Sequence, residues 1–155
     1  MTKIAIIRIS GEQGLSGKIK TTFKLLNLHK KYNCVLVSNT QEIEGMLKVI
    51  KDNVTWGEID KETVLQLLEK RGRIAGNKQL TAEYLQEKTK LDLNKFADEL
   101  FADDKKIKVE GLKPFFKLMP PRKGFERKGT KKHFSGGGAL GYRKYKINEL
   151  IQRMI

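Results

Sequence analysis

Charge is spread so unevenly along this chain that it divides the molecule before any element is assigned. Residues 1–104 carry 17 lysines and arginines against 15 acids, a net of +2. Residues 105–155 carry 15 against 3, a net of +12 out of the total of +14. The first part can fold into an ordinary compact body. The second repels itself unless a polyanion neutralises it. The cationic third also holds all three prolines, Pro114, Pro120 and Pro121, with many glycines, which forbids a long regular element there. Its cations are interleaved with Phe and Tyr. That pattern suits nucleic acid first, an anionic membrane surface second, and a mere solubilising tail poorly.

At 155 residues the chain is one domain's worth and can bury a self-sufficient core. Arg8 and Glu12 interrupt the first twenty residues, so no signal peptide is read there. No apolar run reaches the ~18 residues of a membrane span. Secretion and membrane insertion are not expected, which points to the cytoplasm. The single Cys34 lies in an apolar run and reads as a buried structural thiol in a reducing compartment.

The period of the apolar residues outlines the body. Residues 3–9 read as a strand with Ala5, Ile7 and Ile9 on one face. Ile19, Phe23 and Leu26 predict a helix over 18–30. Residues 34–38 are a second strand. Asn39 or Thr40 caps a helix striped by Ile43, Met46, Leu47 and Ile50, and 54–56 form a third strand. Residues 1–59 are thus a β-α-β-α-β core, with a three-stranded sheet and both helices on one face. Residues 60–104 predict a helical extension. Its helices are capped by Asp60, Thr81 and Asp92, and Gly72 ends the first of them. Residues 105–155 predict an extended basic arm. It ends in a terminal helix docked on the core by Ile147, Leu150, Ile151 and Met154. Residues 120–144 are expected to be mobile alone and to order on RNA.

Three basic elements look made for phosphate. The first sets Lys70, Arg71, Arg73 and Lys78 around Gly72 and Gly76; helix capping accounts for only part of it. The second runs from Pro120 to His133 through Arg122, Lys123, Arg127, Lys128, Lys131 and Lys132. Phe125 and Phe134 there suit stacking on bases or packing against sugar edges, and equally core packing. The third joins Gly136, Gly137, Gly138 and Gly141 to Tyr142, Arg143, Lys144 and Tyr145. The residues expected at the interface are Arg71, Arg73, Lys78, Arg122, Lys123, Arg127, Lys128, Lys131, Lys132, Arg143 and Lys144. Arg8, Lys18 and Lys20 form a second rank.

Catalytic patterns fail on inspection. Gly136, Gly138 and Gly141 spell GxGxxG, but no strand precedes them. The loop 11–18 has the outline of a phosphate-binding loop. Yet Glu12 stands where the first Walker glycine belongs, and Ile19 replaces the Mg²⁺-binding hydroxyl. His29 and His133 have no metal-site spacing. Asp98, Glu99, Asp103 and Asp104 read as solvated carboxylates around a helix end. No catalytic residue, metal or cofactor is expected. The rivals are a small P-loop-like nucleotide-binding enzyme using the loop 11–18, and a free RNA-binding regulator.

The stretch IAIIRISGEQGLSGKIKTTFKLLNLHKKYNCVLVSNTQEIEGMLKVIKDNVTWGEI resembles the large-subunit ribosomal protein family L-thirty. The stretches LLEKRGRIAGNKQLTAEYL and KPFFKLMPPRKGF…GGGALGYRKYKINELIQRMI resemble its archaeal form, related to the eukaryotic family L-seven. Nearly the whole chain is covered. Ile74-Ala75 departs from the Leu-Pro often found in relatives, which relaxes that loop. The resemblance implies an α+β fold with some similarity to ferredoxin-like folds. It implies a structural constituent of the ribosome's large subunit bound to 23S rRNA, with 5S rRNA nearby and other large-subunit proteins as neighbours. It implies no catalysis and no small-molecule substrate.

Overall fold

The computed structural model describes residues 3–90, 92–102 and 111–155. The chain runs β1 (Lys3–Arg8), α1 (Gly17–Leu25), β2 (Asn33–Ser38), α2 (Gln41–Ile50), β3 (Val54–Glu58) and α3 (Lys61–Arg71). It continues through α4 (Ala82–Thr89), α5 (Leu93–Ala102), β4 (Phe116–Lys117), β5 (Gly141–Tyr142) and α6 (Lys146–Met154). None of the described helices is long and apolar enough to cross a membrane.

The sheet has the order β4-β2-β1-β3-β5. β1 pairs antiparallel with β2 and β3, β4 antiparallel with β2, and β5 parallel with β3. The expected three-stranded, ferredoxin-like sheet is therefore corrected to a five-stranded mixed one. The two added strands come from the basic segment, one on each edge. Each is two residues long, too short for a period to show in sequence.

Every residue of β1 is buried, because helices cover both faces. Ile4, Ile6, Val35 and Val54 meet Phe23 of α1 and Leu47 and Ile50 of α2. The opposite face, with Ala5, Ile7, Cys34 and Leu36, meets Leu67 and Leu68 of α3, Phe96 and Leu100 of α5, and Ile147, Leu150 and Ile151 of α6. The first two helices share one face as expected, and the later helices fill the other. The four α6 anchors, Ile147, Leu150, Ile151 and Met154, are fully buried. At about 1.5–3 kcal/mol each, they hold the terminal helix firmly.

Local chemistry sets the boundaries. Thr40 and Thr81 accept hydrogen bonds from the N–H groups of Ile43 and Tyr84, each at 3.4 Å, and so begin α2 and α4. α1 stops at Leu25, short of the expected 30. Asn27 turns left-handed (φ 57°), and the Leu28 N–H returns to the Phe23 carbonyl at 2.8 Å, burying Leu28. Asp60 stands at the start of α3 but caps nothing with its side chain. Its carboxylate instead accepts from Asn148 Nδ2 at 2.8 Å, tying α3 to α6. Gly72 ends α3 with an ordinary φ of −57°. A side chain there would strike the Leu68 carbonyl oxygen.

Candidate nucleic-acid interface

From residue 111 onward the basic segment is a chain of turns anchored from within. The triplet Arg-Lys-Gly occurs twice, at 122–124 and 127–129. The Gly124 N–H donates to the Pro121 carbonyl and the Gly129 N–H to the Glu126 carbonyl, each at 2.9 Å. Each glycine ends its turn with positive φ, +73° and +81°. Each turn carries an arginine and a lysine at its tip, and all four side chains are exposed. Lys123 is itself left-handed (φ 64°), a conformation a non-glycine residue rarely adopts.

Phe125 and Glu126, between the turns, point inward. Phe125 stacks on Tyr32 (ring centroids 6.2 Å, planes 27° apart) and packs on the cluster of Ile9, Ala139 and Leu140. It is a core anchor, not a free base-stacking ring. Glu126 faces Arg143. Burial pushes its carboxyl up. The hydrogen bond and charge of Arg143, with the charge of Arg153, outweigh this and hold it below its ordinary value.

Arg143 requires a correction. Its side chain is 1% exposed. It pairs with both carboxylate oxygens of Glu126, donates to Thr55 Oγ1 at 2.7 Å and to the Ala139 carbonyl at 2.8 Å, and lies 4.6 Å over the Phe134 ring. Its charge holds the loop together, and Phe134 is covered by it. Arg8 has the same fate at the end of β1. Its guanidinium donates to the carbonyls of Leu28, His29, Ser10 and Gly11 at 2.7–3.0 Å and lies 4.1 Å over Phe23. Burial pulls its pKa down, against the opposing Glu12 charge. Arg8 gathers loop carbonyls inward at the mouth of the loop 11–18. A phosphate cradle needs converging N–H groups. Lys18 and Lys20 remain exposed on α1.

The end of α6 gathers the other cations. The Arg122 N–H donates to the Arg153 carbonyl at 2.8 Å, and the Met119 N–H to the Met154 carbonyl at 2.9 Å. Arg71 Nη2 donates to the Ile155 carbonyl oxygen at 2.6 Å. These donors satisfy carbonyls that a helix end leaves open. They also bring Arg71, half-buried at the end of α3, to the same helix end as the first Arg-Lys-Gly turn. Arg153, which the sequence reading passed over, joins them. Its guanidinium donates to the Gly124 carbonyl at 3.1 Å and lies 3.7 Å from Glu126. A lone acid inside a cationic run was the available signal.

Arg73 pairs with Gln79 across a hairpin over residues 72–80, and Lys78 is the next residue along. The Ile74 N–H donates to the Lys78 carbonyl, and the Leu80 N–H to the Gly72 carbonyl, each at 3.0 Å. Lys113 fastens the hairpin, its Nζ donating to Asn77 Oδ1 at 3.1 Å. Lys78 is exposed and Arg73 half-buried. Lys131, Lys132 and Lys144 are also exposed. The glycine run forms a close crossing of the chain with itself. A side chain on Gly138 would overlap the Lys132 carbonyl, and the Leu140 N–H donates to that same carbonyl at 3.1 Å. The formal GxGxxG is thus a packing device.

Cys34 is fully buried, and burial pushes its thiol up to about 12. Asp98 pairs with Lys61 at 2.5 Å. Among the described residues no group of three His, Cys, Asp or Glu side chains is placed to hold a metal. Asp103 and Asp104 lie outside the described residues.

Ten of the fourteen sequence-predicted cations are therefore exposed, Arg71 and Arg73 are half-buried, and Arg8 and Arg143 are buried. Comparison with known proteins adds a separate finding. The family described as Ribosomal protein L30p/L7e matches residues 4–54, from β1 to the start of β3. Whole-chain relatives extend the match. The large ribosomal subunit protein uL30 of Methanococcus maripaludis strain C5 is 48% identical over 151 residues, covering 97% of this chain and 98% of its own. That of Nanoarchaeum equitans is 47% identical over 155 residues, covering both chains completely. That of Archaeoglobus fulgidus is 43% identical over 152 residues, covering 97% of this chain and 98% of its own. A likeness of this depth, running unbroken through core, hairpin, basic turns and terminal helix, makes the chain a member of the ribosomal protein L30p/L7e family.

Proposed function

We propose that this protein is a structural constituent of the large ribosomal subunit in the cytoplasm. It binds 23S rRNA, with 5S rRNA nearby and other large-subunit proteins as neighbours. The observation that carries the reading is the pair of Arg-Lys-Gly turns, pinned from inside by Phe125 and Glu126 and offering four exposed cations. Pinned turns present charge at fixed spacing. Phosphates of folded RNA neutralise that charge and release their condensed counterions. Recognition of this kind reads backbone shape more than base sequence. Lys78, Arg73 and Arg71 on the hairpin side, with Lys131, Lys132 and Lys144, extend the surface. Lys18 and Lys20 on α1 are further exposed candidates, whereas the buried Arg8 and Arg143 hold loops from within.

Such a surface needs no bound nucleotide, cofactor or small-molecule substrate. Sedimentation of the tagged protein with large subunits through a high-salt gradient tests the proposal. Co-migration with the subunit is expected. A protein that stays at the top of the gradient is a free RNA-binding regulator. Saturable ATP or GTP binding abolished by Lys18→Ala would restore the enzymatic alternative.

A further inference from the structure

A groove of about 410 Å³ runs between α2 and the sheet edge formed by β3 and β5. Its floor is aromatic. Trp56 and Tyr142 are register partners on adjacent strands, with ring centroids 6.4 Å apart and planes 35° from parallel. Tyr142 is 45% exposed. Across the groove α2 contributes Glu44, Leu47 and Lys48, and Lys51 follows the helix. Glu58 closes one end. Its carboxylate accepts the Tyr142 hydroxyl through Oε1, and Oε2 is buried without a partner. The volume lies within the range of ordinary ligand sites.

Two observations bear on the occupant. The groove is continuous with the basic segment. His133 Nε2 lies 3.3 Å from Asp52 Oδ1, and Asp52 follows Lys51. The second observation weighs against an extended peptide. Thr55 and Trp56 of β3 already pair with β5, and the Arg143 N–H donates to the Trp56 carbonyl at 3.0 Å. A further strand could join only the outer edge of β5, which is two residues long. What remains free is the face of two tilted rings, with Lys48 and Lys51 beside Glu44 on the rim, and exposed aromatics flanked by cations stack unpaired bases.

We infer that this groove takes an unstacked nucleobase from the RNA that the basic turns hold. The base stacks on Trp56 and Tyr142, and Lys48 and Lys51 meet the flanking phosphates. Glu58 accepts the Tyr142 hydroxyl at the end of the groove, and the ring face does the stacking. The inference rests on the RNA-binding reading above and adds a base-contacting site to it.

Trp56 is the only tryptophan, so its emission reports the groove directly. The full chain is titrated with two labelled oligomers of equal length, a single-stranded oligoadenylate RNA and an abasic ribose-phosphate chain. Binding is read by anisotropy and the groove by Trp56 emission. Both oligomers should bind through the cations, but only the base-bearing one should quench Trp56. Tyr142→Ala should weaken oligoadenylate binding roughly five-fold or more and leave abasic binding unchanged. Tyr142→Phe, which keeps the ring, should restore it.

Oligoadenylate binding without quenching in the native chain overturns the groove site and leaves the basic turns intact as an RNA surface. Binding of neither oligomer overturns the RNA reading itself. A photocrosslink from the groove to a protein, and to no nucleotide, in purified large subunits also overturns the site.

Discussion

Arg143 and Glu126 form a forked ion pair across seventeen residues of the basic segment, Nη1 to Oε1 at 2.6 Å and Nη2 to Oε2 at 3.2 Å. The pair is nearly closed to solvent, at 1% and 20% side-chain exposure. Glu126→Ala would leave the guanidinium buried without its counter-charge. That change is expected to cost about 3–5 kcal/mol of folding stability, read as a lower urea midpoint. A variant of wild-type stability would show that the pair does not hold the turns.

The same pair gives a pH dependence with a definite sign. The Glu126 carboxyl is held below its ordinary value in the folded state, so the carboxylate contributes stability above the unfolded-state pKa of about 4.3. That contribution is lost as pH falls through the lower folded-state value. Thermal stability should therefore drop below about pH 4, and Glu126→Gln should shallow the drop. An identical acid profile for wild type and variant would contradict this.

Neutralising Arg122, Lys123, Arg127 and Lys128 together should leave unfolding nearly unchanged, because all four are exposed. RNA affinity should fall, and the slope of log affinity against log salt should flatten by roughly 3. An unaltered slope would remove these turns from the interface.

Gly138 and Gly136 make a matched test of the glycine run. Gly138→Ala drives a Cβ into the Lys132 carbonyl, whereas nothing lies within 4 Å of the position at Gly136. The first change should cost roughly 1–3 kcal/mol, and the second should be near neutral. Amide exchange tests the mobility that the sequence led us to expect of residues 120–144: against that expectation, the Leu140 and Arg143 N–H groups, bonded to the Lys132 and Trp56 carbonyls, should exchange slowly even without RNA.

Cys34, fully buried with its thiol raised to about 12, should resist thiol reagents in the folded protein. Its modification rate should rise with denaturant in step with unfolding. Rapid labelling of the native protein would contradict its burial.

What could be read from the sequence was local or periodic. The run Lys3–Arg8 announces a strand, Thr40 and Thr81 announce helix starts, and the stripe from Ile147 to Met154 announces a docked helix. Pairing across long separations left no trace. β4 and β5 exist because Phe116 meets Cys34 and Gly141 meets Thr55, and two residues carry no period. Cations raised a different difficulty. Arg8 and Arg143 look like any other basic residue. Yet the four apolar residues Ile4–Ile7 before Arg8, and the isolation of Glu126 among cations, each mark a charge with internal work to do. Phe125 shows the converse, since an aromatic among cations reads equally as a base platform or as an anchor.

The carbonyls closing α6 receive the N–H groups of Met119 and Arg122 and the guanidinium of Arg71. A ribosome builds residues 153–155 after all three of those donors. The first Arg-Lys-Gly turn closes locally, but it gains its anchor on the body only once residues 153–155 have been made and α6 has folded. Synthesis order thus places the anchoring of this cationic turn after the making of the helix that holds it.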